Sequence, residues 1–302
     1  MKSGWKPTLA ALKPTDAKSL AKYRQIVGGA VDVLVGRGLP PAGAVQFESI
    51  RQREVGNYLE IAGLVSNKPQ GEEVPVVFLN PKKWNRRVVI WVHEKGKEGL
   101  FGSDGSPIPE ARRLLDAGVA VVGADLLDQG EFLVDGKELT TARRVDNPRE
   151  SAAFTYGYNS PLFSQRAHDI LSLIAYWRHQ TDNKPVRIDL VALDGAGPWA
   201  AAALAQAGSA VDRAAIDTAG FRFQKLKSIR DLNFLPGAVK YGDLPAMLAL
   251  ATPVELWLTG EGAAAPELVA AAYKAAGAAG KLHATEVPAD KKADKAVAWL
   301  LK

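Results

Sequence analysis

The segment Leu190-Val191-Ala192-Leu193-Asp194-Gly195-Ala196-Gly197 joins an apolar run to an alanine-rich one. A sharp strand-to-helix turn that exposes a nucleophile needs the pattern small–x–nucleophile–x–small, because its central residues are crowded and held in a strained conformation. Two registers fit: Ala192 and Ala196 frame Asp194, and Leu193 and Gly197 frame Gly195. The first has small residues on both flanks and is preferred. A carboxylate there can form an ester intermediate, but its hydrolysis needs a base to activate water. The histidines are His93, His168, His179 and His283. His93, ending the apolar run 88–92, is the one near the expected turn, and Glu261 follows the run 254–258. Asp194, Glu261 and His93 are therefore the candidate catalytic residues. Ala192, Gly195, Ala196 and Gly197 build the turn, and Glu94, Trp199 and Tyr241 stand on the loops beside it. The plainer reading of Asp194, and the favoured one, is a carboxylate that caps the following helix near the positive end of its dipole.

The elements that must position these residues follow from periodicity. Helical spacing covers 15–35, with Leu20, Tyr23, Ile26 and Val27 on one face, and Gly36, Gly38, Pro40 and Pro41 end it. Strand-like pieces follow at 45–51, 58–65, 74–79 and 87–92. Strands and helices then alternate: helix 108–117, strand 119–124, helix 164–179, strand 187–192, helix 198–207, strand 213–216, helix 244–250, strand 254–258, helix 266–276, strand 282–287 and helix 291–301. Continuous apolar runs such as 88–92 and 119–122 mark strands buried on both faces of a parallel sheet. The expected fold is α/β, a mostly parallel doubly wound sheet with helices on both faces, as one domain over 45–302 behind an N-terminal helical arm over 1–44.

The strand order, the turn at Asp194 and the strand-loop at 88–96 resemble the α/β-hydrolase fold. More narrowly, segments 156–171 (YGYNSPLFSQRAHDIL), 217–223 (DTAGFRF) and 235–242 (LPGAVKYG) resemble bacterial acetyl xylan esterase-like proteins. The resemblance implies a carbohydrate-esterase ancestry, a second and degenerate hydrolase-like half beside a companion hydrolase domain, and a periplasmic or secreted setting. It also implies a serine at the turn, a histidine in the loop after the last strand, and an oxyanion-binding loop. Here position 194 is aspartate, and the loop 288–292 (PADKK) has no histidine. The loop His93-Glu94-Lys95-Gly96 carries a glutamate that repels an oxyanion. The expected function is a non-catalytic partner or binding domain with a degraded triad, its ligand a carbohydrate or an ester. The alternative is a working carboxylic-ester hydrolase using Asp194 or a serine such as Ser103, Ser106 or Ser160. A tight turn at Asp194 with no histidine nitrogen within roughly 2.6–3.2 Å of its carboxylate is the geometry a degraded triad predicts.

The remaining features bound the partners. The chain has 302 residues, 47% hydrophobic and 24% charged, a net charge of +5 and no cysteine. Thiol catalysis and cysteine-ligated zinc are excluded. Basic residues are scattered among acids, so no nucleic-acid partner is expected, and no apolar run reaches the roughly 20 residues of a membrane span. Residues 1–5 lack an apolar signal core, as in a cytosolic or already processed chain. No histidine pair has metal-ligand spacing, and no metal or other cofactor is expected. Gly195-Ala-Gly197 is a weak match to a phosphate loop, lacking its Lys-Ser/Thr. Asp125 is read as a loop brace, and His168 as a hydrogen-bonded structural histidine. Arg166, Asp169, Asp217 and Arg222 are read as one ion-pair network under the cleft, and Lys291, Lys292 and Lys295 as a solvated helix face.

Overall fold

The computed structural model describes residues 11–143, 145–146 and 152–302; the expectation for residues 1–5 lies outside them. Helices α1 (Ala17–Tyr23) and α2 (Gly29–Val35) are joined through a π-helical turn at Arg24–Gly28, so the predicted helix is one rod with a wide turn in its middle. Asp16 caps it by accepting the Ser19 amide. Its inward residues Leu20, Tyr23, Val27, Val31 and Val35 are at most 3% exposed, so this segment packs on the rest of the fold.

The strands are β1 (Val45–Val55), β2 (Tyr58–Asn67), β3 (Glu72–Pro81), β4 (Arg87–Val92), β5 (Val119–Ala124), β6 (Arg187–Ala192), β7 (Arg213–Asp217), β8 (Glu255–Thr259) and β9 (Leu282–Ala284). They form one sheet in the order β1-β2-β3-β5-β4-β6-β7-β8-β9. β1 to β3 are antiparallel, β3 meets β5 antiparallel, and β4 to β9 run parallel. The first three strands are longer than the apolar pattern suggests, because polar and charged residues at their ends continue the ladder. β9 stops after three residues, short of the expected 282–287.

The remaining helices are α3 (Pro109–Asp116), α4 (Leu162–Arg178), α5 (Gly197–Ala207), α6 (Asp243–Leu250), α7 (Glu267–Ala275) and α8 (Lys292–Leu300). The strand period of two splits the apolar side chains between two cores. Val88, Ile90 and Val92 join the larger one with α4 to α7, while Val89 and Trp91 join the smaller one with α3 and α8. This is why the central strands read as unbroken apolar runs.

Helix α8 is fixed at both ends. Under the sheet, Arg87 and Arg187 each donate an Nη2 hydrogen to the Leu300 carbonyl at 2.6 Å, cations placed where the helix dipole is negative. Arg187 also grips the fully buried Asp189 carboxylate at 2.8 Å. The opposite end of α8 then lies at the carboxyl edge of the sheet, where crossover loops gather. There α5 begins against β7 so closely that a Cβ on Gly197 would sit 1.9 Å from the Asp217 carbonyl oxygen. Gly197→Ala is expected to destabilise the fold by at least the roughly 1–3 kcal/mol of an overpacked core, read as a lower denaturation midpoint. An unchanged midpoint would contradict this close approach.

Candidate functional site

The turn after β6 has the expected form. Asp194 has φ 48° and Gly195 φ 88°, left-handed conformations that a non-glycine residue seldom adopts. Ala192 and Ala196 on either side are fully buried, leaving no room for larger side chains. The carboxylate therefore projects at the carboxyl edge of the sheet, between β4 and β7. It does not cap α5, which starts at Gly197 behind an N-cap Ala196 with no side-chain cap. That favoured reading is corrected: the turn directs the side chain toward the β4 loop.

What it meets there is His93. The ring Nε2 lies 3.3 Å from Asp194 Oδ2, just beyond the 2.6–3.2 Å range, so a histidine does stand against the carboxylate. Its orientation is set by the other ring nitrogen. The Lys95 amide donates to His93 Nδ1 at 3.0 Å, so in the neutral ring the proton sits on Nε2 and is offered to Asp194. The contact holds the Asp194 carboxyl below the usual carboxylate range, chiefly through this hydrogen bond, with Lys292 and Lys95 adding positive charge and burial opposing. In the neutral ring His93 thus turns an N–H, and not a lone pair, toward the carboxylate 3.3 Å away.

The loop 288–292, where the base was expected, leads to a lysine. The loop before α8 brings Lys292 to Asp217, Nζ to Oδ2 at 2.6 Å, and the Ala219 amide holds Oδ1 at 3.0 Å. Lys292 is only 17% exposed in its side chain, so its reading as part of a solvated face is corrected: a buried carboxylate at the end of β7 draws it inward. Glu261 is engaged elsewhere, in a two-pronged pair with Arg222 and a 2.5 Å bond from the Thr218 hydroxyl. It reaches neither His93 nor Asp194 through any hydrogen bond. The charged residues read as one network fall into two, Arg222–Glu261 beside Asp217–Lys292, and Arg166 with Asp169 on α4. The signal for Lys292 was available in its position within 288–292.

A cavity of about 830 Å³ opens over the turn, with Glu94, Lys95, Asp128, Arg166, Trp199 and Asn233 among its walls. Glu94 lies across Gly195, where an added Cβ would come 2.5 Å from Oε2, so a carboxylate occupies the oxyanion side of the turn. Gln129 fixes that loop by donating to the Glu94 carbonyl at 2.6 Å and the His93 carbonyl at 3.2 Å. The buried Asp125 accepts the Lys97 amide at 2.9 Å and the Glu131 amide at 3.0 Å, the loop brace expected of it. Arg166 lies 4.4 Å over the Trp199 ring and donates to the Leu127 carbonyl at 3.0 Å. Burial lowers its pKa to about 10, still charged at neutral pH. Trp199 donates to Asn233 Oδ1 at 2.6 Å. Tyr241 does not line the cavity. Among the described residues, no group of three or more histidine or acidic side chains is arranged to hold a metal.

At the level of sequence, no family model and no curated protein matches the chain. Solved structures do. A provisionally assigned acetyl xylan esterase from Bacteroides fragilis superposes with a TM-score of 0.68 at 14% identity, covering 98% of this chain and 84% of the other. Acetyl xylan esterase 1 from Thermoanaerobacterium sp. superposes at 0.54 and 14%, covering 98% of both. A glucuronoyl esterase from Solibacter usitatus superposes at 0.60 and 12%, covering 94% and 93%. This is the α/β-hydrolase fold. At such identities the likeness is one of fold, and the α/β-hydrolase turn at Asp194 must be read from its own side chains.

Those side chains make a prediction. The stabilisation from a carboxyl whose pKa is lowered on folding is present above its unfolded pKa and lost as pH falls through the lowered folded value. Asp194 is therefore expected to titrate below the ordinary carboxylate range in a ¹³C-carboxyl NMR titration, and to move upward in His93→Ala. The same titration in both proteins would contradict the His93 hydrogen bond.

Proposed function

We propose that this α/β-hydrolase-fold domain binds a ligand in the cleft over Gly195, beside Asp194, and does not cleave it. One observation carries the reading: His93 spends its Nδ1 lone pair on the Lys95 amide and its Nε2 proton on Asp194. Water activation needs a free base near the nucleophile, and this ring has no lone pair left. Lys292, an ammonium paired with Asp217, is a cation and no base. Glu94 over Gly195 adds a negative charge where acyl transfer needs hydrogen-bond donors. The cleft itself is retained, with an aromatic wall at Trp199 and the cation of Arg166 in it. A carbohydrate or ester ligand held there for a companion hydrolase domain is the role these features support.

A second reading has one observation in its favour. Asp194 is ionised, half exposed and held at a strained turn, which is what a carboxylate nucleophile requires. Hydrolysis of 4-nitrophenyl acetate and of acetylated xylan by the wild type and by Asp194→Asn separates the two. Rates equal to buffer for both proteins are expected. Turnover above buffer that disappears in Asp194→Asn would establish the carboxylate nucleophile, and turnover that survives would assign the chemistry to a serine such as Ser103, Ser106 or Ser160. Retarded migration in gels containing acetylated xylan is expected of both proteins, and unretarded migration of both would contradict binding of this polymer.

A further inference from the structure

The turn that carries Glu94 over Gly195 is closed by a group that can change its charge. Residues 93–96 form a β-turn in which the Gly96 amide donates to the His93 carbonyl at 3.1 Å. Lys95, its third residue, has φ −86° and ψ 15°, the values of a type I turn. The Lys95 amide also donates to His93 Nδ1 at 3.0 Å. The histidine ring thus fills the role that an asparagine or aspartate oxygen plays two residues before an amide. An imidazole differs from those oxygens in one respect: once both ring nitrogens bear protons, neither accepts.

The surroundings decide which side of that contact gives way. The His93 side chain is only 14% exposed, and Gly99 lies so close that an added Cβ would stand 2.3 Å from its Cγ and 2.6 Å from Nδ1. On the far side Asp194 Oδ2 is 3.3 Å from Nε2, and its carboxyl, held below the ordinary range chiefly by this contact, stays ionised in mild acid. Of the other charged groups around the ring, Lys97 is bound to Asp125 and Glu131, and Lys292 on α8 to Asp217. Glu94, Lys95 and Glu98 are exposed along the cavity wall. A charged ring therefore keeps its place between Gly99 and Asp194, and the Lys95 peptide moves, because two N–H groups cannot share one contact. Lys95 is exposed, so water takes its amide. Gln129 still holds the His93 and Glu94 carbonyls, so the turn swings and does not unfold.

We propose that the 93–96 turn is a proton-operated gate: with a neutral His93 ring it holds Glu94 over Gly195, and with an imidazolium ring it swings away and uncovers Gly195. The closed turn and the second proton compete for one lone pair, so each weakens the other. The sign follows. Neutral and alkaline pH keep the gate shut, and acidification through the range in which imidazoles titrate, roughly pH 5 to 8, opens it. Shut, the gate sets the Glu94 carboxylate where a Cβ on Gly195 would come 2.5 Å from Oε2. Open, it takes that negative charge off the strand-to-helix turn and leaves Gly195 facing the cavity.

The test is an NMR titration of the full chain between about pH 4.5 and 8, following the His93 ring and the Lys95 and Gly195 amides together. These signals belong to the protein itself, so the result does not depend on whether the cleft holds a ligand. On the acid side of the ring's titration the Lys95 amide is expected to lose its hydrogen-bonded shift. Its exchange with water, relative to an unstructured peptide, is expected to rise about fivefold, as the loss of one hydrogen bond implies. The Gly195 resonance is expected to move with the same midpoint. His93→Asn places at Nδ1 an oxygen that accepts the Lys95 amide at every pH, and is expected to leave both signals flat across the range. The wild-type titration carries the test alone if that variant fails to fold. A Lys95 amide equally protected on both sides of the ring's titration, a ring that stays neutral down to about pH 4.5, or a transition that persists in His93→Asn would overturn the proposal.

Discussion

The 3.0 Å hydrogen bond from the Lys95 amide to His93 Nδ1 decides what this site can do. A neutral imidazole has one proton and one lone pair, and the backbone takes the lone pair. The remaining N–H faces the Asp194 carboxylate across 3.3 Å, a histidine close to a turn for which the sequence placed no base. The same bond holds the loop that carries Glu94 over Gly195, and Gln129 tethers that loop from the other side.

The frame around that contact is a tight strand-to-helix turn at the carboxyl edge of the sheet. The strained turn survives because Ala192, Ala196 and Gly197 let β6, α5 and β7 approach without side chains between them. Helix α8 spans the sheet from the arginines that hold Leu300 to the lysine that meets Asp217. Its lower anchor determines where its first residue stands, and there Lys292 meets the buried Asp217 at the end of β7.

Much of the fold was legible because strand and helix periods differ and the central strands are buried on both sides. β4, β5 and β6 match their predicted ranges, and β7 and β8 fall within a residue of theirs. The long hairpin strands were less legible, since β1 is mostly solvated and its charged residues hide the ladder. The site was half legible. The small residues at 192, 196 and 197 gave the turn at Asp194, and the place of His93 followed from the end of β4. Two outcomes were hidden: the side-chain direction of Asp194, set by its positive φ, and the inward turn of Lys292, set by the buried Asp217. Glu261 stood at the right position after β8, but Arg222 and Thr218 claim it.

The most direct measurement is the tautomer of His93, read from the ¹⁵N shifts of its two ring nitrogens and their couplings to the ring protons at neutral pH. A proton on Nε2, with Nδ1 shifted as a hydrogen-bond acceptor, is the predicted result. A ring protonated at Nδ1, with an Nε2 lone pair facing Asp194 and the cleft, would contradict it and return a general base to the turn.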